Sequence, residues 1–484
     1  MKTITIIGGG LGGLTAGALL AKSGHRVTLL EQHNIVGGCA TTFKRKGGFT
    51  CEVGLHKMDG VYTNPMIQKI FKELGVYDAM EFIASEHFLT VNTRHRSYTL
   101  PYGIDQARDY LSEIFPDETE GIARYFDLIT RIGREIKVLG DLKWYHYPLF
   151  PLLFWRTLRY MRSSVTDVLD RLIQNEELKL VLNANVQYYN DRPDTLSFLM
   201  HAVAQSSYFI GKGWFIRGGS SRLSNHLAHI ITEHGGEVIT SADVTACTPD
   251  RVTYVHKKET HILPTDLIVS NASHQDTYRL FDHPYQETRE ISDGLLTIYL
   301  GFTKNLKDVY GTRDYVQIHM DAITTLDEFE KELKEEVAER SFGFTDYSQI
   351  DANLTKDPAK SFAVTCTTDY IQEWEGLDTA EYKAKKADLI TRTLAKLEQH
   401  YPGITDLVEY AEVGTAKTQQ RYLKTPQGTA YGFRPTPRQF FRPFRSRSKE
   451  ISNLYFVGQW VIAGGFSPAI MSGEICAREI AKIR

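Results

Sequence analysis

Apolar positions change their spacing abruptly within the first thirty residues. Residues 3–7 are alternating and β-rich, which predicts a short buried strand. Leu14, Gly17, Ala18 and Ala21 then fall at helical spacings, and Gly24 predicts the end of that helix. Residues 25–31 return to strand character and finish on Glu31. Farther along, Leu223, Leu227 and Ile231 share one helical face, opened by Gly218-Gly219-Ser220, closed by Gly235-Gly236 and followed by a strand over 237–244. Residues 294–302 and 361–370 read as strands. Residues 378–403 predict a helix of some five turns, with Asp378 and Glu381 making a capping-box start and Tyr401-Pro402-Gly403 the stop. The acidic run 326–340 reads as a solvated helix face. A last buried strand, 454–457, stops at Gly458, and Ser467-Pro468 predicts a helix with Ser467 as its N-cap.

The run Gly8-Gly9-Gly10-Leu11-Gly12-Gly13 joins the first strand to the first helix, and its one side chain is poor material for a core. Gly8, Gly10 and Gly13 occupy G-x-G-x-x-G inside a strand–turn–helix–strand unit. Gly8 suits the tight turn, Gly10 the approach of a pyrophosphate to the main chain, and Gly13 close packing of helix on sheet. A pyrophosphate at that helix start would meet free N–H groups and the favourable end of the dipole. Glu31, 18 residues past Gly13, stands where a ribose hydroxyl is held. Strand, helix and acid coincide, so the run is read as dinucleotide-binding.

Composition is ordinary for a globular chain of 484 residues, with 42% hydrophobic and 24% charged residues, enough for two or three domains. A formal net charge of -3 and the absence of a long Lys/Arg block argue against a nucleic-acid partner. The five cysteines are odd in number and no two have metal-site spacing, so a reduced, intracellular protein without a metal site is expected. A first strand at residue 3 leads to the expectation of no signal peptide. The longest markedly apolar run, 147–155, is far shorter than the ~20 residues a membrane span needs.

The choice of dinucleotide rests on the segments that follow. Residues 31–43, EQHNIVGGCATTF, bring a second glycine pair, Gly37-Gly38, soon after Glu31. Residues 47–56, GGFTCEVGLH, add a short strand and His56. An NAD domain would continue directly to its next strand. This excursion resembles the loop along the flavin in glutathione-reductase-2-type flavoproteins, the class of amine oxidases, phytoene desaturases, carotenoid isomerases and retinol saturases. Amine oxidases usually carry Arg after the glycine pair. Cys39 stands there, and Gly-Gly-Cys with His56 resembles the retinol saturases and their bacterial relatives. The resemblance extends to residues 213–247, to the strand ending near Ser273, to residues 414–432 and to the C-terminus, where Gln459 replaces the frequent Asp after Gly458. Binding at both chain ends is hard to explain with NAD, so FAD is the expected cofactor.

The resemblance implies a Rossmann-like, discontinuous FAD domain over 1–85, 213–275 and 440–484, and a mixed α+β substrate domain over 86–212 and 276–439, in an α/β chain. It implies cofactor contacts from Gly8, Gly10, Leu11, Gly13, Glu31, Gln32, Gly38, Cys39, Ala40, Leu55, His56, Val244, Gly458, Gln459, Ser467, Ala469 and Ile470. Val244 would meet the adenine through its main chain, and the helix start at Ser467 would face the pyrimidine side of the flavin. No second G-x-G-x-x-G unit is present for a bound nicotinamide donor.

Residues 143–162 mix large apolar groups with Arg156, Arg159 and Arg162, a combination suited to docking on a membrane surface. The basic-aromatic stretch 433–449 contains Pro435, Pro437 and Pro443, which exclude a regular helix. Both suit a lipophilic substrate taken up by a cytoplasmic protein at a membrane periphery. The resemblance implies a polyene, a carotenoid or retinoid, that is desaturated, saturated or isomerised. The alternative is an amine or amino-acid oxidase of the same fold. Glu52 and His56 are the candidate proton donors, with support of the flavin as their first expected role.

Overall fold

Two sheets carry most of the strands in the computed structural model, which describes residues 1–139, 150–442 and 445–482. The first is wholly parallel, in the order Leu454–Phe456, Leu267–Ser270, Thr3–Ile7, Arg26–Leu30, Glu237–Ile239. Its strands are nearly continuous apolar runs because both faces are covered. Ile6, Val27, Leu29, Ile268, Val269 and Leu454 are fully buried. The covering helices Leu11–Lys22, Ser221–Glu233 and Phe466–Ala481 come from three distant parts of the chain. Their approach is set by glycine. A Cβ at Gly17 would stand 2.7 Å from Ile231 Cδ1, and one at Gly473 would stand 2.7 Å from the Gly12 carbonyl. This is a discontinuous Rossmann-like region, with an antiparallel three-stranded sheet over 242–264 attached to it.

The second sheet has seven strands, ordered Val408–Gly414, Gly294–Phe302, Ser361–Asp369, Phe342–Asp346, Val316–Met320, Leu89–Thr93, Ser97–Leu100. Its pairs are antiparallel except Val316–Met320 with Leu89–Thr93. The helices Thr119–Leu139 and Phe198–Gly211 pack beside it in one apolar cluster, and Thr379–His400 anchors another. This lobe is a separate α+β domain.

The helix Thr379–His400 begins as its sequence predicts. Asp378 accepts from the Ala380 and Glu381 N–H groups at 2.7 and 2.9 Å, and Glu381 returns a bond to the Asp378 N–H at 2.9 Å. Three expectations fail. The strand expected over 237–244 breaks at Ser241, whose φ is 54°, so that Glu237–Ile239 joins the parallel sheet and Ala242–Thr248 opens the antiparallel one. The acidic run is helical only over Glu328–Glu332, with a 3₁₀ turn at Val337–Glu339. Leu326, Phe329, Val337 and Ala338 are drawn into cores, and Glu332 is buried where it accepts the Ser341 hydroxyl at 2.6 Å. Ser467 is not an N-cap. The C-terminal helix starts at Phe466 after Gly465, whose φ of 101° makes the turn, and the Ser467 hydroxyl instead donates to the Asp59 carbonyl at 2.9 Å. Of the aromatic stretch 143–162, residues 143–149 lie outside the described residues. The remainder includes two short helices, Phe150–Leu153 and Trp155–Tyr160.

Candidate active site

Gly8 leaves the first strand with φ of 93° and donates its N–H to the Leu30 carbonyl at 2.8 Å, which turns the chain across the sheet edge. A Cβ at Gly13 would lie 2.3 Å from the Gly8 carbonyl, so the third motif glycine is required by the helix closing on its own turn. The helix Leu11–Lys22 has neither a side-chain cap nor an acidic residue in its first turn. Apart from the Gly13 N–H, which Asn271 accepts, its first N–H groups and its dipole are therefore offered to whatever lies in front. The second glycine pair comes back to this point: the Gly37 N–H donates to the Gly9 carbonyl at 2.7 Å.

Glu31 holds the loop from below. Its two oxygens accept the Gly9 and His33 N–H groups, each at 2.7 Å. Each oxygen keeps a further lone pair, and Glu31 lines the cavity in which a ribose hydroxyl could donate. Burial pushes the Glu31 carboxyl up, and the two N–H bonds oppose that shift.

A single cavity of about 2840 Å³ runs from this cradle to the C-terminal helix. That is nearly three times the ~1,000 Å³ upper end of ordinary small-molecule pockets, room for a dinucleotide and a second elongated ligand. Gly8, Gly10, Leu11, Glu31, Gln32, Gly38, Cys39, Ala40, His56, Val244, Gly458, Gln459, Ser467 and Ala469 are on its wall. Gly13, Leu55 and Ile470 are not. Gly13 packs on the turn as described, and Ile470 is in the core. The Leu55 N–H donates to Glu52 at 3.0 Å while its carbonyl accepts from the Tyr347 hydroxyl at 3.0 Å. The helix Phe466–Ala481 also lacks a side-chain cap and a first-turn acid of its own, so two helix starts open on one cavity, the second with the Asp59 carboxylate 3.1 Å from its Ser467 hydroxyl. A dinucleotide with a pyrophosphate and an anionic ring system fits that pair of positive ends.

Three residues that sequence reasoning passed over complete the cradle. Asn271, just after the strand Leu267–Ser270, accepts the Gly13 N–H at 3.2 Å. Its side chain also occupies the space beside Gly10, Gly12 and Gly458, where added Cβ atoms would meet it at 2.5, 2.8 and 2.4 Å. A polar residue directly after a buried strand was the available signal. Asp59 accepts from Ser207 at 2.5 Å and from Ser467 at 3.1 Å, joining three remote segments with no local signature. Tyr431 lines the cavity and forces glycine at 464, where a Cβ would stand 2.6 Å from the Tyr431 Cα.

The two candidate proton donors differ in surroundings. Glu52 is buried away from the cavity wall and accepts from Gly54, Leu55 and Ser220 N–H groups at 3.2, 3.0 and 2.8 Å and from the Ser220 hydroxyl at 2.6 Å. Burial pushes its carboxyl up to about 6, against those bonds. It ties the hairpin of Thr42–Lys44 and Thr50–Glu52 to the turn at Gly219. His56 lies on the wall with its ring 5.9 Å from that of Tyr188, and burial, aided by Lys57, pushes it down to about 4. Its imidazole is neutral near pH 7. Cys39 is likewise a neutral thiol, pushed up to about 11 by burial. Beside them the Lys57 side chain donates to the His87 carbonyl at 2.9 Å and to the Phe88 carbonyl, a tether from the cradle to the seven-stranded lobe.

The family model of the flavin containing amine oxidoreductases matches residues 11–481. The chain belongs to this family. Like its other members it is an FAD-binding oxidoreductase. Among curated proteins it is similar to the all-trans-retinol 13,14-reductase of Danio rerio, 26% identical over 98% of this chain and 85% of the relative. It is also similar to the chloroplastic prolycopene isomerase of Arabidopsis thaliana, 27% identical over 98% of this chain and 82% of that protein. Among solved structures, cyclohexylamine oxidase from Brevibacterium oxydans superposes with a TM-score of 0.63 at 15% identity, covering 99% of each chain, a likeness of fold. Within this flavoprotein the lobe side of the cavity is aromatic: Tyr188, Tyr189, Tyr208, Tyr299 and Tyr431 all line it.

Proposed function

We propose that this flavoprotein exchanges hydride with a long apolar polyene, a carotenoid or retinoid, in desaturation, saturation or cis–trans isomerisation. The observation that carries the reading is the extent of the cavity, which reaches from the cradle to two helices of the lobe, lined by Ile136, Lys137 and Val138 on Thr119–Leu139 and by Met200, Val203, Ala204 and Ser207 on Phe198–Gly211. A mainly apolar lining there, together with the tyrosines, suits a rod of conjugated carbons. The reductase and isomerase relatives act, by their names, on retinol and prolycopene, which supports the same class.

FAD, when bound, supplies the hydride acceptor or donor. The chain's own residues would hold it: Gly10 and Leu11 at the pyrophosphate, Glu31 at the ribose, Val244 at the adenine, Gly458 and Gln459 along the ribityl chain, and the helix start near Ser467 at the ring. The tyrosines exclude water and orient the polyene.

Entry from a membrane surface is part of the proposal. Leu152, Leu153, Trp155 and Leu158 are exposed, and Arg156 pairs with Glu135, the residue before the cavity-lining Ile136, at 3.3 Å. Arg156 is thereby committed, which leaves the exposed Arg159 and Arg162 to meet headgroups. Among the described residues no helix is long and apolar enough to cross a membrane.

The test is incubation of the purified holoprotein with carotenoids and retinoids in liposomes, aerobically and after reduction, with products separated by chromatography. A changed double-bond count or geometry is expected. No turnover across the panel, together with peroxide release from amines, would replace this reading by an amine oxidase. Loss of liposome binding in a Leu152→Ser/Trp155→Ser variant is expected from the docking face.

A further inference from the structure

We infer that the lobe carries a transition-metal site of zinc type, remote from the flavin chamber, built from His319, Asp321 and His400. One ring nitrogen from each histidine and one Asp321 oxygen lie within 4.8 Å of one another. Ligands ~2 Å from a common tetrahedral centre stand roughly 3.3 Å apart, so the cluster is near closure. Asp321 Oδ2 and His400 Nε2 already meet at 2.9 Å, and the two imidazole centroids are 4.2 Å apart.

The second observation is the state of His319. The side chain is fully buried, stacked at 4.9 Å on Phe342, and its Nε2 has no hydrogen-bond partner. A buried ring nitrogen without a partner is costly unless something occupies it. Nδ1 faces the Asn92 side-chain amide at 3.4 Å. As the amide stands, its oxygen accepts the Ser97 hydroxyl at 2.6 Å and its nitrogen also faces Gln317 Oε1 at 3.5 Å. Ligation through Nε2 requires the amide to turn and Ser97 to reverse its role, so that Nδ1–H becomes the donor, the arrangement metal-bound histidines share. Two cationic side chains, Lys396 and Arg313, lie near His319. Lys396 is itself engaged by the Ala338 and Arg340 carbonyls at 3.2 and 2.7 Å. His400 is the last residue of a 22-residue helix, where the dipole favours a cation.

Two imidazoles and one carboxylate select zinc or a similar borderline ion over magnesium or calcium. A fourth position would hold water. Ile318 lines the flavin cavity and His319, the next residue on the strand, points to the other face, so the ion would sit outside the chamber. It would pin the end of Thr379–His400 to the end of Val316–Met320. Residues 319 and 400 are too distant in sequence for any spacing motif to reveal the set.

The test is zinc affinity of the dialysed holoprotein, by competition with a chromogenic chelator, for the wild type, His400→Gln and Asp321→Asn. The ligands changed are half-exposed, so both variants are expected to fold, and retained flavin absorbance checks this. One zinc per chain is expected, with magnesium not competing. Each variant should lose more than the ~10–100-fold typical of a lost outer-shell partner. Cobalt should give d–d bands beyond the flavin absorption in the wild type and not in His400→Gln. Equal binding by all three proteins, or a wild-type Kd weaker than about 1 mM, would overturn the site and leave a simple His–Asp pair.

Discussion

At Gly12 an added methyl would stand 2.5 Å from the Gly458 nitrogen and 2.7 Å from its Cα, both backbone atoms. At Gly343, in the seven-stranded sheet, the nearest atom to such a methyl is Ile318 Cδ1 at 3.5 Å, an ordinary contact. Both glycines line the same cavity. The cradle is built by main chain approaching main chain, and at that distance only glycine serves. Around Gly343 the neighbours are side chains whose volumes can be traded, although Gly121 and Gly294 elsewhere in the lobe also stand against main chain. Constraint in the first region falls on residue type, and in the second on summed shape.

Gly12→Ala is the strongest way to break that contrast. Neither neighbour can rotate away, so the two chain ends must separate. Flavin content, read as absorbance near 450 nm against protein, is expected to fall at least about tenfold, with a loss of ~1–3 kcal/mol in unfolding free energy from overpacking. Gly343→Ala should keep both near wild type. Equal flavin retention in the two variants would remove the distinction.

Glu52→Gln tests the cradle's hidden support. The carboxylate accepts four hydrogen bonds across its two oxygens, and an amide must aim an N–H at a donor such as the Ser220 N–H. One buried donor left unpaired costs ~1–3 kcal/mol. Denaturant unfolding should show that loss, with flavin binding weakened less than in Gly12→Ala.

How much was legible in the sequence follows the same division. The strand–glycine–helix unit, Glu31 and the terminal strand before Gly458 could be read because glycine at close approach has one explanation. The Asp378 cap could be read because its bonds are local. Ser467 misled because Gly465 makes the turn two residues earlier and Asp59, 408 positions away, takes the hydroxyl. The run 326–340 misled because charge density hid Leu326, Phe329 and Val337, whose burial is decided by distant strands. Asn271, the tyrosine chamber and the His319 cluster are assembled from far-apart positions, each ordinary by itself.

Ala204→Phe sharpens the comparison from the lobe side. Ala204 lines the cavity on the lobe helix Phe198–Gly211, and a phenyl ring there takes up cavity space away from the cradle residues. Flavin content should be unchanged. Turnover of a long carotenoid should drop about tenfold, equivalent to ~1.4 kcal/mol, while a shorter retinoid loses less. Equal loss for both lengths would mean that substrate lies elsewhere.

The smallest effect near neutrality concerns His56, which belongs to the cradle loop yet faces the lobe. Its folded value, about 4, is below the ordinary 6.5. Between those values the unfolded chain binds more protons, so stability rises with pH across the window and is flat above it. The penalty is full below pH 4. At pH 5.5 the gap from 6.5 is one unit, about 1.4 kcal/mol, and at pH 7 it is only a few tenths. His56→Gln should therefore match the wild type at pH 7.5 and be the more stable protein at pH 5.5 by that amount. The same neutrality bears on chemistry. A ring that stays unprotonated down to pH 4 is a poor proton donor, so substrate turnover should show no break near pH 6.5 that His56→Gln abolishes. If such a break exists and disappears in the variant, His56 is an acid rather than a wall, and the cradle reaches into the reaction.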